Sequence, residues 1–200
     1  MNLNHLVRHG LAIKKHAAPE AIAEILGLEP DQVRETLEQL ATSGRAMQAQ
    51  GRYTLTPMAR MTLDSEYSLL YEDLRNNADF KSGYEGFERL NGNLKALITN
   101  WQTMEVGGEQ LPNDHSNSDY DAKIIDRLGN LHEQAETIIA KLARGLPRMQ
   151  IYGEKLLSAL EKAEDGDIAW VSDAKIESYH TLWFELHEDL LRLMGREREE

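Results

Sequence analysis

Apolar side chains recur every three or four residues in four runs along the last two thirds of the chain. This spacing places them on one face of an α-helix, because an α-helix completes a turn in about 3.6 residues. The runs lie within residues 84–104, 120–147, 152–163 and 176–193. Turns and loops separate them, so the pattern predicts an antiparallel bundle of four helices.

The first 63 residues have a different pattern, in which shorter apolar stripes alternate with turn-forming residues. A first stripe begins at Leu6, and Pro19 marks the beginning of a second helix, since proline fits the first turn of a helix. A turn over residues 27–30 precedes a longer helix. Two short segments around Gly51 then suit a β-hairpin. Three helices followed by a hairpin are therefore predicted.

These patterns predict a mainly α-helical chain in three parts. Residues 1–63 form the helix and hairpin domain, residues 64–83 a connecting helix, and residues 84–200 the helical bundle domain. The connecting helix is indicated by an apolar stripe of Tyr67, Leu70, Tyr71 and Leu74. Within the bundle, residues 106–121 form the one long polar connection.

Two short motifs frame the predicted hairpin. The sequence SGR at residues 43–45 follows the longer helix, and YTLTPMAR at residues 53–60 leads out of the hairpin. Together with the spacing of the helix pair, they resemble the winged helix-turn-helix domain of MarR-like regulators over residues 4–62. The resemblance implies that the second helix of the pair enters the major groove while the wing contacts the DNA backbone. The DNA-binding residues predicted on this basis are Gln32, Arg34, Arg45 and Arg52.

The distribution of charge favours the N-terminal part as the region that contacts nucleic acid. The chain has a formal net charge of −12, but residues 1–63 contain seven Lys and Arg against six Asp and Glu, which leaves +1 there and −13 elsewhere. Against DNA binding, Glu29, Asp31 and Glu35 lie near the start of the predicted recognition helix. Contact with another protein, or simple solvation of a charged face, remains an alternative.

Several catalytic and metal-binding motifs are absent from the sequence. The lack of cysteine excludes disulfides, thiolate metal sites and a cysteine nucleophile. A P-loop, a G-x-S-x-G turn and an H-E-x-x-H helix are also missing. The polar stretch from Asp114 does not fit a calcium loop, because Asp119 and Ile125 stand where glycine and glutamate are required. A non-enzymatic protein with no cofactor and no bound metal is therefore predicted.

The stretch SYHTLWFELHEDLLRL, residues 178–193, contains two histidines seven residues apart. On a helix this separates His180 from His187 by roughly 10 Å, too far for both rings to bind one metal ion. Packing inside the protein is the simpler interpretation. The alternative is a pocket for a small polar or anionic ligand, formed with the polar loop. Two further alternatives are a metal ion bound by His115, Asp114 and one of the histidines of this helix, and an enzyme in which the His and Asp residues converge on a metal or substrate. The predicted ligand-binding residues are Asn113, Asp114, His115, Tyr179, His180, Trp183 and His187.

A second resemblance concerns the C-terminal part. The segments NDHSNSDYD, YHTLWFELHEDLL and GRER are similar to a helical region of actinobacterial proteins, sometimes attached to phosphoenolpyruvate-utilising enzymes of the pyruvate phosphate dikinase type. The similarity spans most of residues 84–198. It implies an accessory or regulatory piece, because the phosphohistidine motifs of those enzymes have no counterpart here.

Two functions follow from these observations. The first is a DNA-binding transcription regulator whose helical domain senses a ligand or partner, and which forms a homodimer because helix-turn-helix proteins commonly read paired half-sites. The second is a protein-interaction module of a phosphoenolpyruvate-utilising enzyme system, with the winged helix used for protein contact. No signal-peptide pattern or long apolar stretch occurs, so a cytoplasmic protein without membrane contact is predicted.

Overall fold

The computed structural model describes residues 2–197, without the side chain of Val106. The outermost ends of the predicted domains, and with them Arg198 of the GRER segment, lie outside the described residues. The described chain is mainly α-helical, as predicted, and contains two small antiparallel hairpins. None of its helices combines the length and the apolar character needed to cross a lipid bilayer.

The chain divides into two compact units, and the first unit is built from two separate segments. Residues 1–77 and 185–200 form this first unit, whereas residues 78–184 form the second. The last helix contributes residues to both, because it begins at Tyr179 and ends at Met194. The predicted division after residues 63 and 83 rests on local patterns, which cannot show that the chain returns to its N-terminal part.

Three helices open the first unit: α1 (Leu3–Lys14), α2 (Pro19–Leu26) and α3 (Pro30–Thr42). Pro19 and Pro30 are the first residues of their helices, where the missing N–H would have no helical partner in any case. On α3, the apolar residues Val33, Leu37 and Leu40 are fully buried. The apolar spacing therefore located both the helices and their buried faces.

A hairpin follows α3 and consists of strands β1 (Ala46–Ala49) and β2 (Arg52–Leu55), paired in antiparallel register. The residues of its turn, Gln50 and Gly51, have positive φ angles of 52° and 75°, the combination that a type I′ turn requires and that glycine adopts at little cost. Tyr53 and Ala17 exchange two backbone hydrogen bonds of 2.8 and 3.1 Å. These bonds attach the hairpin to the segment between α1 and α2.

Two further helices complete the N-terminal segment of the first unit, namely α4 (Pro57–Leu70) and α5 (Glu72–Asn76). Helix α4 begins where the Thr56 hydroxyl accepts a hydrogen bond from the Ala59 N–H. Asn77 then adopts an extended conformation and ends α5. The single connecting helix predicted over residues 64–83 is thus divided among α4, α5 and the start of the next helix.

The second unit contains most of the long helices. Its elements are α6 (Ala78–Gln102), β3 (Thr103–Val106), β4 (Glu109–Pro112), α7 (Ser118–Gly145), α8 (Met149–Glu164), α9 (Ala169–Ser172) and the first part of α10 (Tyr179–Met194). Helix α7 packs against both α6 and α8. Leu94, Leu128 and Leu156, one from each of these helices, are almost completely buried, which agrees with the predicted apolar faces.

The hairpin of β3 and β4 lies within a segment for which the sequence indicated mainly a polar loop. Met104 pairs with Leu111 and Glu105 with Gln110 in antiparallel register. All four residues of β4 are exposed, so the hairpin has no alternation of buried and exposed positions. This explains why the spacing of apolar residues did not reveal it.

The second half of α10 belongs to the first unit through specific contacts. Lys14 Nζ lies 2.8 Å from Glu185 Oε2. Arg75 Nε donates a hydrogen bond of 2.6 Å to the carbonyl of Leu193. In this unit the second half of α10 therefore contacts α1 and α5.

Candidate functional site

The predicted DNA contacts Gln32 and Arg34 lie on the exposed face of α3. Arg34 is not a free positive charge, because its guanidinium donates a hydrogen bond to the Glu20 carboxylate of α2. Its Nε also lies 3.9 Å from Asp31 Oδ1. The hydrogen bond to Glu20 and the charge of that carboxylate raise the pKa of Arg34 above its ordinary value. To bind DNA, Arg34 would have to exchange Glu20 for a phosphate group.

The beginning of α3 also exposes three carboxylates, those of Glu29, Asp31 and Glu35. Acidic residues near a helix N-terminus stabilise the helix, since they interact favourably with its dipole. The same charges would repel a DNA phosphate. This face of α3 is therefore better suited to the helix itself, or to a basic partner, than to direct contact with a polyanion.

The other two predicted DNA contacts, Arg45 and Arg52, lie on the hairpin. Both are exposed, and neither guanidinium has an ion-pair or hydrogen-bond partner among residues 2–197. Arg45 precedes β1 at the base of the hairpin, where its carbonyl accepts a hydrogen bond of 3.0 Å from the Thr56 N–H. Arg52 follows the turn and pairs in register with Ala49. The hairpin thus presents positive charge at its base and near its tip.

In the second unit, Asn113 and His115 meet around the carboxylate of Asp121, at the start of α7. The Asn113 amide donates hydrogen bonds to the Trp101 carbonyl at 3.0 Å and to Asp121 Oδ1 at 2.8 Å. His115 Nδ1 lies 3.0 Å from Asp121 Oδ2. Because both Asn113 amide hydrogens are used, we assign the proton to His115 Nδ1, which donates to Asp121. This assignment leaves His115 Nε2 as a hydrogen-bond acceptor.

His115 is held in an unusual conformation beside an open groove. Its φ of 58° lies in the left-handed region, which non-glycine residues seldom adopt. Its ring centroid lies 4.5 Å from that of Trp101. A groove of about 640 Å³ runs past His115 and Asp121 and is also lined by apolar side chains, among them Ile125 and Ile168. The groove is large enough for a small molecule.

Asp114, which was predicted to belong to the same pocket, faces solvent. Its Oδ1 accepts a hydrogen bond of 3.0 Å from the Ser116 N–H and so stabilises the loop. Hydrogen bonds from the Ser116 side chain and backbone lower the pKa of Asp114. The described contacts give Asp114 a role in the loop conformation, whereas Asn113 and His115 form the cluster with Asp121.

Tyr179 and Trp183, also predicted to bind a ligand, lie in the core of the second unit. The Tyr179 hydroxyl lies 3.1 Å from His132 Nδ1, and the Trp183 indole donates to Asn91 Oδ1 at 3.0 Å. Trp183 stacks on Phe87 with a centroid separation of 4.6 Å. Within the second unit, the described hydrogen bonds and ring contacts of Tyr179 and Trp183 involve neither Asn113 nor His115.

The two histidines of α10 belong to different units. His180 is partly buried in the second unit, and burial lowers its pKa. His187 is buried in the first unit. Of the seven predicted ligand-binding residues, the structure joins Asn113 with His115 and Tyr179 with Trp183; the single pocket predicted for all seven remains a prediction.

The first unit contains a buried polar cluster that the sequence analysis did not identify. His9 Nδ1 lies 2.6 Å from the Tyr67 hydroxyl, and His9 Nε2 lies 2.9 Å from Asp189 Oδ1. The side chains of His9 and Asp189 are both completely inaccessible to solvent. Burial raises the pKa of Tyr67 far above its ordinary value, so the phenol stays protonated and can donate to His9.

A second histidine extends this cluster toward the surface. His5 Nδ1 lies 2.8 Å from Glu66 Oε2, and His5 Nε2 lies 3.2 Å from the Tyr71 hydroxyl. Arg8 Nη2 donates to both oxygens of Glu66, at 3.0 and 2.8 Å. One signal in the sequence could have shown the cluster: the pairs His5 and His9, and Tyr67 and Tyr71, are each four residues apart, the spacing of neighbours on one helix face.

Comparisons with known proteins provide no identity for the chain. Neither protein-family models, nor curated proteins, nor solved structures match it. In the part of the chain that the structure describes, no three His, Asp or Glu side chains are placed to hold a metal ion. Two features of the described chain have the chemistry of binding sites: the exposed arginines of the hairpin and the groove beside His115.

We expect stability to fall as the solution becomes mildly acidic, because burial lowers the pKa of His5, His132 and His180 below 6.5. A group whose pKa is lower in the folded state than in the unfolded state contributes its full stabilisation at any pH above the unfolded-state pKa. This contribution decreases as the pH falls from the unfolded-state pKa to the folded-state pKa. The urea midpoint should therefore decrease between about pH 7.5 and about pH 5.5.

Replacing both His132 and His180 by phenylalanine should reduce this pH dependence, whereas replacing the exposed His16 by glutamine should not. The Glu66 carboxyl, whose pKa is lowered by its hydrogen bonds from His5 and Arg8 despite the opposing effect of burial, contributes only at lower pH. If the urea midpoint depended on pH equally in the double variant and the wild type, His132 and His180 would not be the source of the pH dependence.

Proposed function

We propose that the chain is a non-enzymatic regulatory protein that binds DNA through its N-terminal unit, as a winged helix-turn-helix whose wing is the hairpin of β1 and β2. The observation that supports this most directly is the pair of exposed guanidinium groups on the hairpin, those of Arg45 and Arg52, which have no partner among the described residues. The order of three helices followed by a hairpin also agrees with such a domain. In the proposal, a homodimer reads two half-sites.

The charges on α3 determine which residues of the N-terminal unit could contact DNA. Exposed carboxylates at its start disfavour deep entry of this end of α3 into a groove, and Arg34 is already paired with Glu20. The hairpin arginines would therefore provide the principal phosphate contacts, and Gln32 a neutral contact from α3. Binding of this kind depends strongly on salt, because each phosphate contact releases condensed counterions.

In the same proposal, the second unit senses a ligand or a partner. The groove beside His115 supports this role, because it combines apolar walls with an imidazole that a buried carboxylate orients. Its occupancy would regulate DNA binding only if the ligand favoured one conformational state over another.

The DNA-binding proposal is tested with the paired variant Arg45→Ala and Arg52→Ala. We expect it to bind native promoter fragments at least about tenfold more weakly than the wild type, in fluorescence anisotropy at low salt. The slope of log affinity against log salt concentration should decrease by about two, since two phosphate contacts are removed. Arg60→Ala, which removes an exposed arginine of α4, is the matched control and should leave both quantities unchanged.

Two outcomes would contradict the proposal. One is that the wild type binds no native promoter fragment even at low salt. The other is that the paired variant and the Arg60 control bind equally well, which would place the contact elsewhere. Circular dichroism of both variants checks that the fold is intact.

A second candidate function is an accessory module that docks onto a phosphoenolpyruvate-utilising enzyme. The observation that favours it is the exposed acidic start of α3, which would suit a basic protein surface better than DNA. The charge-neutralising variant Asp31→Asn with Glu35→Gln distinguishes the two functions. Neutralisation should strengthen binding to DNA, whereas it should weaken co-elution with such an enzyme in gel filtration.

A further inference from the structure

The first unit contains a pocket of about 610 Å³ that is separate from the hairpin. It is lined by residues of α4, α5, α10 and the turn after α10, all of which belong to that unit. Its volume lies within the usual range for sites that bind small metabolites. Three arginines, Arg75, Arg192 and Arg196, contribute to its wall, in a chain whose net charge is strongly negative.

Arg75 is fixed in place by the end of α10. Its Nε donates to the Leu193 carbonyl at 2.6 Å, which also satisfies one of the last carbonyls of that helix. Gly195, with a φ of 64°, allows the guanidinium to lie directly against the backbone, because a Cβ there would be only 2.9 Å from Arg75 Nη2. No described residue accepts a hydrogen bond from Nη1 or Nη2, so these groups are available to a ligand.

The other two arginines differ in their partners. Arg192 is neutralised, since its guanidinium lies 2.8 Å from Glu188 Oε1 and 3.4 Å from Asp64 Oδ1. Arg196 is held through its backbone, which donates to the Leu191 carbonyl at 2.8 Å. Its exposed side chain has no ion-pair or hydrogen-bond partner among residues 2–197. Arg75 and Arg196 therefore supply guanidinium N–H donors for which no described side chain is an acceptor.

The rest of the pocket wall contains both charged and apolar side chains. Glu197 adds a third carboxylate to those of Asp64 and Glu188, so the carboxylates and arginines of the wall are equal in number, and its positive charge is local to Arg75 and Arg196. Tyr67 and Leu191 contribute apolar surface. Guanidinium groups bind planar carboxylates and phosphates through paired N–H donors, and apolar walls favour an organic group attached to the anion.

We propose that this pocket binds a small organic anion, a phosphate or a carboxylate, through Arg75 and Arg196. The ligand would occupy the space between α4 and the turn after α10, with its charged end on the two guanidinium groups. This site is independent of the proposed DNA contact, because it does not involve the hairpin or α3.

The proposal is tested by calorimetric titration of the full-length protein with glycerol 3-phosphate and with succinate, at constant ionic strength. Uncharged glycerol serves as the ligand control. We expect at least one of the two anions to bind with one site per chain, and Arg196→Gln to weaken that binding at least about tenfold. Arg60→Gln, an exposed arginine of α4 outside the pocket, should bind like the wild type.

Because Arg75 also interacts with the end of α10, its replacement by alanine affects folding, and Arg196→Gln is the decisive variant. Amide chemical shifts of Ser68 and Arg196, which both line the pocket, should change on titration. The proposal is overturned if neither anion binds at about 10 mM, or if binding is equal in Arg196→Gln and wild type. It is also overturned if Arg196→Gln weakens DNA binding alone, since the arginine would then contact DNA phosphates.

Discussion

Replacing Asp189 by alanine is expected to lower the free energy of unfolding by about 3–5 kcal/mol, enough to unfold much of a marginally stable domain. Asp189 accepts a hydrogen bond from His9 at 2.9 Å, and neither side chain is exposed to solvent. The variant would remove this acceptor from a site that water does not reach. Urea denaturation followed by circular dichroism measures the loss.

The matched control is Asp64→Ala, which removes a carboxylate from the same unit. Asp64 is 61% exposed and pairs with Arg192 at 3.4 Å, so its loss should cost about 0–1 kcal/mol. Replacing His9 and Asp189 together by leucine should cost less than the sum of the two single changes, because no buried polar group of the pair would remain. A loss below about 1 kcal/mol for Asp189→Ala would contradict the buried pair.

Trp183→Ala is expected to destabilise the second unit by about 3–5 kcal/mol. The indole is 3% exposed and stacks on Phe87 at 4.6 Å. Its N–H is also the donor to Asn91 Oδ1, which would be left in the core without that hydrogen bond. Trp183→Phe keeps the stacking but not the donor, so we expect a smaller loss of about 1–2 kcal/mol.

The same variant distinguishes a packing role of Trp183 from the ligand-binding role that was predicted from the sequence. Phe184, the next residue on α10, is 38% exposed, so Phe184→Ala should cost less than about 1 kcal/mol in the same urea titration. If Trp183 were a ligand contact, Trp183→Ala would remove binding while leaving the unfolding free energy nearly unchanged. That outcome would contradict the packing interpretation.

The helices could be predicted from the sequence because their signals are local. Pro19 and Pro30 fix helix starts, and Gly51 fits the turn that the hairpin requires. The apolar spacing of α6 and α7 locates their buried faces. Each of these signals lies within a few residues of the structure that it determines.

The buried cluster of the first unit could not be predicted with the same certainty, because its partners are distant in the sequence. His9 and Asp189 are 180 residues apart, and His9 and Tyr67 are 58 apart. A helix face shows that His5 and His9 are neighbours, but not which carboxylate they meet. The loop cluster was partly predictable, since Asn113 and His115 lie near Asp121 in sequence as well as in space.

The division of the first unit between two segments that are distant in the sequence has a consequence for biosynthesis. When residue 77 leaves the ribosome, the unit still lacks the segment from residue 185 onward, which supplies Asp189 and the carbonyl that Arg75 binds. The second unit is continuous and can fold first, which reverses the usual N-terminal-first order of synthesis. Until the segment from residue 185 onward has been synthesised, the nascent N-terminal helices would expose the apolar and histidine-bearing surface of α1 and would therefore be natural clients for ribosome-associated chaperones.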